Sequence, residues 1–72
     1  MAESAMHMPP KWRDSNIGWR YFNRGWEDAV EGRPNFYKGS TAAMVLIIDH
    51  GRAALLAYED GYKAGQAASN AN

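Results

Sequence analysis

Few side chains in this chain are suited to reaction chemistry. It has 72 residues with eight Lys or Arg, eight Asp or Glu, two His and no Cys. The histidines are His7 and His50. Asp49 and His50 are neighbours in sequence, and on a helix adjacent side chains point about 100° apart, so they do not form an orienting pair. Glu27, Asp28 and Glu31 cluster, as do Glu59 and Asp60. Without a nucleophile or histidine at a useful spacing, such clusters read as solvated acidic surface. Two histidines and scattered carboxylates make no zinc site. Lys38-Gly39-Ser40-Thr41 resembles a phosphate loop, but Lys precedes Gly and no strand lies upstream. The expectation is a non-enzymatic protein with no cofactor and no metal.

The basic residues offer a different chemistry. Residues 11–38 hold six basic and four acidic side chains, and residues 39–72 hold two and three. Arg20 and Arg24 precede Glu27, Asp28 and Glu31 along one predicted helix, an order that opposes the helix dipole. Two compensations are open. A second helix docked antiparallel sets Glu59 and Asp60 beside Arg20 and Arg24. Alternatively Arg20, Arg24, Arg33 and Lys38, interleaved with Trp19, Tyr21, Phe36 and Tyr37, form a basic-aromatic patch for RNA or an acidic protein. The candidate binding residues are therefore Arg20, Arg24, Arg33, Phe36, Tyr37 and Lys38.

Positioning these residues requires two helices. The first is predicted from Asp14 to Glu31, capped by Asp14 or Ser15 and ended by Gly32 with Pro34 beyond. Residues 32–40 read as a loop, in which one of Phe36 and Tyr37 packs back on the helices. The second is predicted from Ser40 or Thr41 to Ala68, with a seam of Met44, Ile48, Gly51, Leu55, Tyr58, Tyr62 and Gly65. Gly51 either bends this long helix or divides it. Phe22, Gly25, Trp26 and Ala29 recur in type as Tyr58, Gly61, Tyr62 and Gly65, at offsets 0, 3, 4 and 7 that share one helix face. The pattern predicts an all-α, two-helix antiparallel hairpin with rings of one helix over glycines of the other. Residues 13–68 form the domain, between a disordered start at 1–12 and a disordered tail at 69–72.

Composition limits what such a hairpin can bury. Leu, Ile, Val and Phe total 10 of 72 residues, while Ala alone contributes 12. The core is thin and aromatic, without a disulfide to staple it, so a homodimer is expected. The longest apolar run, Ala42 to Ile48, is far short of the roughly 18 residues of a membrane span, and no membrane partner is expected. The start shows no secretory leader pattern, and the lack of cysteine fits a cytoplasmic setting.

Two segments carry a family resemblance. Arg24-Gly25-Trp26-Glu27-Asp28-Ala29-Val30-Glu31-Gly32-Arg33, with Tyr58-Glu59-Asp60-Gly61-Tyr62-Lys63-Ala64-Gly65, resembles the ribosome modulation factor family and its small relatives in phages and other mobile elements, over residues 20–66. The resemblance implies two helices joined by a linker and binding to the small ribosomal subunit, with Arg24, Arg33 and Tyr37 matching the family's run. Ribosome modulation factors are strongly basic, whereas this chain has zero net charge. Neutrality favours a phage-type interaction protein that modulates or inhibits a host complex. The alternatives are a ribosome-binding hibernation factor contacting rRNA and a purely structural homo-oligomer.

Overall fold

Ser15 starts the main helix. Its extended backbone lies just outside the first turn, and its hydroxyl accepts the Gly18 N–H at 3.0 Å. The computed structural model describes residues 2–70. They form five helices in the order α1 (Ala2–Met6), α2 (Pro10–Arg13), α3 (Asn16–Val30), α4 (Thr41–His50) and α5 (Arg52–Asn70). The fold is all-helical, as the periodicity predicts.

Helix α3 ends where expected and for the expected reason. Gly32 takes a φ of 78°, and the Arg33 N–H reaches back five residues to the Asp28 carbonyl at 2.8 Å. This pairing satisfies carbonyls that a helix end otherwise leaves open. The second predicted helix is two helices. Gly51 has φ 89° and ψ 165°, a backbone region occupied essentially by glycine alone. It therefore acts as a chain reversal, with its N–H closing α4 on the Ile47 carbonyl at 2.8 Å.

This break changes the topology. Helix α4 starts near the C-terminal end of α3 and finishes with the His50 ring 5.9 Å from Tyr21, in the N-terminal half of α3. It thus runs back along α3, and α5 turns again. A Cβ built at Gly61 meets the backbone of Phe22, and one at Gly65 meets that of Trp26. Two glycines four residues apart meet two residues four apart in the same order, so α3 and α5 run parallel. The antiparallel hairpin expected of these two faces is corrected: one extra reversal at Gly51 restores the original direction.

The glycine-aromatic repeat does line the α3–α5 contact, though not with rings over glycines. A Cβ at Gly25 would overlap the Tyr58 carbonyl oxygen and lie 2.8 Å from the Tyr62 nitrogen; one at Gly61 would overlap the Phe22 carbonyl oxygen. Backbone fills the hollows at Gly25 and Gly61, and at Gly65 the Ala29 methyl shares the space with the Trp26 backbone. The rings flank the contact: Phe22 and Trp26 join Met8, Trp12 and Ala57 in one cluster, and Tyr58 joins Tyr37, Leu46 and Ala54 in another.

The expected disorder of residues 1–12 is also corrected for residues 2–12. Met8 and Trp12 are buried in the first of these clusters. Gly18 gives Trp12 room, since a Cβ there would lie 2.7 Å from its ring, and the Trp12 indole N–H donates to Asp60 at 2.7 Å. Ser4 donates to Asn23, and His7 stacks on Trp26 at 4.8 Å. At the other end α5 continues to Asn70, beyond the predicted limit of Ala68. Met1, Ala71 and Asn72, also expected to be disordered, lie outside the described residues.

Candidate interaction site

The loop after α3 is held down by a polar network centred on Asp28. This carboxylate is almost buried, accepts a hydrogen bond from the Tyr58 hydroxyl, and pairs with the Arg33 guanidinium at 2.9 Å. The Tyr58 oxygen in turn accepts the Phe36 N–H at 3.1 Å. Arg33 also pairs with Glu31, and the Tyr62 hydroxyl donates to the Arg33 carbonyl at 2.6 Å. Burial, reinforced by the bond to Asp28, pushes the Tyr58 hydroxyl up to about 12. Hydrogen bonds to Asp28 and then Glu31 hold Arg33 above its ordinary value. Among the described residues no buried side-chain nitrogen or oxygen lacks a partner.

The network separates the six candidate binding residues. Arg33 is structural as well as exposed, since its cation already serves Asp28 and Glu31. Tyr37 is interior, 7% exposed, with its ring edge-on to Tyr58 at 4.8 Å and its hydroxyl pushed up by burial. It is a core residue, and of the two loop aromatics it is the one that packs back. Phe36 stays 59% exposed, edge-on to Tyr37. Asn35 fixes this turn by accepting the N–H groups of Tyr37 at 2.9 Å and Lys38 at 3.1 Å.

Phe36 stands between two shallow concavities. Arg24, Glu27, Asp28, Arg33 and Pro34 line the first together with Phe36. Tyr21, Tyr37, Ala42, Val45 and Leu46 are on the second, again with Phe36, and Asp49 and His50 close one end of it. Lys38 borders a third, beside Glu59, Tyr62 and Lys63. Arg20 is exposed on α3 and lines none of these three. The structure therefore joins Arg24, Arg33 and Phe36 and sets Tyr37 behind them, leaving Arg20 apart.

The expected pairing of Arg20 and Arg24 with Glu59 and Asp60 is not formed. Among the described residues the ion pairs are those of Arg33, and Asp60 receives the Trp12 indole. The acids of the α3 C-terminus are answered by Arg33 in the loop that follows. Among the described residues no three His, Asp or Glu side chains gather as a metal-binding group.

Sequence reasoning missed the outer face of α4. Met44 and Ile48 were expected in a helix seam, yet they are 63% and 78% exposed, with Val45 at 55%. The chain break at Gly51 resets the helical phase, so Leu46 enters the core in their place. The signal was present in seven consecutive apolar residues from Ala42 to Ile48, a run with no polar face for solvent. No helix among the described residues is long and apolar enough to cross a membrane. Compared with protein-family models, curated proteins and solved structures, the chain matches none of them.

Proposed function

We propose that this is a small, non-enzymatic interaction protein that docks on another protein through the shelf formed by Phe36 and Arg24. The exposed Phe36 ring carries the reading: it projects between an arginine-lined hollow and an apolar one, and the Asp28–Tyr58 network holds its backbone in place. An aromatic anchor beside an arginine is the composition of binding hot spots. The fitting partner presents an apolar pocket with a carboxylate at its rim. The resemblance of residues 20–66 to phage-borne relatives of ribosome modulation factors supports a host complex as the target, modulated or inhibited by occupation of its surface, in the cytoplasm.

Binding to rRNA is the second reading, favoured by Arg20 and Arg24, which make no ion pair among the described residues, and by the half-exposed Trp19. Capture from a bacterial lysate, with and without nuclease, separates the two. The protein reading expects a partner that survives nuclease and is lost with the Phe36→Ala, Arg24→Glu double variant while the helical circular dichroism is unchanged. Capture that vanishes with nuclease and falls steeply with salt overturns it in favour of RNA.

A further inference from the structure

Helix α4 presents a second surface that borders the Phe36–Arg24 shelf, since Val45 and Asp49 also line the hollow beside Phe36. From Thr41 to Ile48 it carries no charge, and Met44, Val45 and Ile48 face outward. We propose that this face pairs with the α4 of a second copy, antiparallel and about a two-fold axis passing beside Met44 and Val45.

Three features select a second copy. An uncharged face of eight residues offers nothing with which to choose a charged partner, but it matches itself. In the antiparallel register Ile48 of each copy lies over Thr41 of the other, a large side chain against a small one, and Met44 lies over Val45. That orientation opposes the two helix dipoles and brings Asp49 of each copy toward Lys38 of the other. Asp49 is one turn beyond Val45 on the same face, and both it and Lys38 are exposed.

Area sets the strength. A specific interface takes about 800 Å² from each partner, which is about one sixth of this chain's 4753 Å² surface. A ten-residue helix about 15 Å long provides less than that. The pair therefore belongs with small, readily dissociating interfaces, at a Kd in the micromolar range or weaker.

Sedimentation equilibrium from about 10 μM to about 1 mM, bracketing that range, tests the proposal. The expected result is a mass that climbs from one chain to two, and stays at one chain for Ile48→Glu with helical content retained. A second arm uses the chain's lack of cysteine. Val45→Cys, close to the axis, should oxidise to a covalent dimer much faster than Ala67→Cys on the exposed surface of α5. This arm decides the matter if Ile48→Glu fails to fold. A single-chain mass throughout, an Ile48→Glu dimer as tight as the parent, or equal cross-linking at both cysteines overturns the proposal. Arg24→Glu, at a residue that lines only the hollow away from α4, should still dimerise, so failure of the docking reading and failure of this one are distinguishable.

Discussion

The α3–α5 contact and helix α4 solve the same problem in opposite ways. The first has little aliphatic volume, and glycines bring two backbones together until carbonyl oxygens fill the space where Cβ atoms would stand. The second has abundant aliphatic volume, and only Leu46 of it is buried. Stability in this chain therefore follows closeness of approach more than apolar content. Apolar content without a place to go becomes surface. The contrast divides the molecule into a scaffold that tolerates no added atoms and a helix that tolerates many changes.

The sharpest way to break that contrast is to add one methyl group on each side of it. Gly61→Ala places a carbon inside the Phe22 carbonyl, an atom that moves only if the helices separate. Overpacking usually costs about 1–3 kcal/mol when side chains can shift. Here backbone must shift, so the expected loss is more than about 3 kcal/mol. Natural domains hold roughly 0.05–0.15 kcal/mol per residue, and a domain this small has little to spare. Gly61→Ala should show a broad or absent thermal transition by circular dichroism, and Gly25→Ala the same. A cooperative melt within a few degrees of the parent would break the contrast.

The polar network between these regions comes next. Tyr58→Phe removes the hydroxyl that binds Asp28 and accepts the Phe36 N–H. Leaving buried polar groups unpaired costs about 1–3 kcal/mol, readable as a lower denaturant midpoint at unchanged slope. The same hydroxyl sets a pH dependence. Its folded value of about 12 exceeds the unfolded 10.0, so the fold favours the protonated form. Stability from this source is complete below pH 10 and is lost as pH rises from 10 through 12. Melting temperatures across that window should fall more steeply for the parent than for Tyr58→Phe. Tyr37, raised by burial, leaves the variant a smaller slope of the same sign.

Gly51→Ala tests conformation alone. Nothing lies within 4 Å of a Cβ at this position, so the expected loss is backbone strain, about 1–3 kcal/mol, with no clash. For a domain of this size each kcal/mol lowers the melting temperature by about 4–8 °C. A more stable variant would mean that α4 and α5 prefer to join as one helix, and that the break is not the native state.

Part of this organisation is legible in the residues. Offsets 0, 3, 4 and 7 identify the facing surfaces of α3 and α5, and Ser15 and Gly32 mark the ends of α3. Direction is not legible from that repeat. Read backwards, the offsets are again 0, 3, 4 and 7, so the pattern serves parallel and antiparallel helices equally. Direction depends on the number of chain reversals between the faces, and that number rests on one glycine's φ angle. The N-terminal turns escape notice for a different reason: Met8 and Trp12 anchor segments too short to show periodicity. At the site, Phe36 and Tyr37 are adjacent aromatics of similar size. Only the Tyr58 ring and the Asn35 turn decide which one faces inward.

The smallest expected effect sharpens the comparison most. Ile48→Ser removes a large apolar side chain from the end of the chain's most apolar segment, and composition alone predicts serious damage. Burial of an isoleucine is worth about 1.5–3 kcal/mol only where water is excluded, and Ile48 is 78% exposed. The loss at low protein concentration should stay within about 0.5 kcal/mol, as for other surface positions. Leu46→Ser, two residues away and 5% exposed, should lose several times more, because it opens a cavity against Tyr37, Ala54 and Tyr58. Denaturant midpoints of the two variants measured side by side give the ratio. Equal losses would show that the outer face of α4 is packed within the single chain, and would remove the distinction between scaffold and surface.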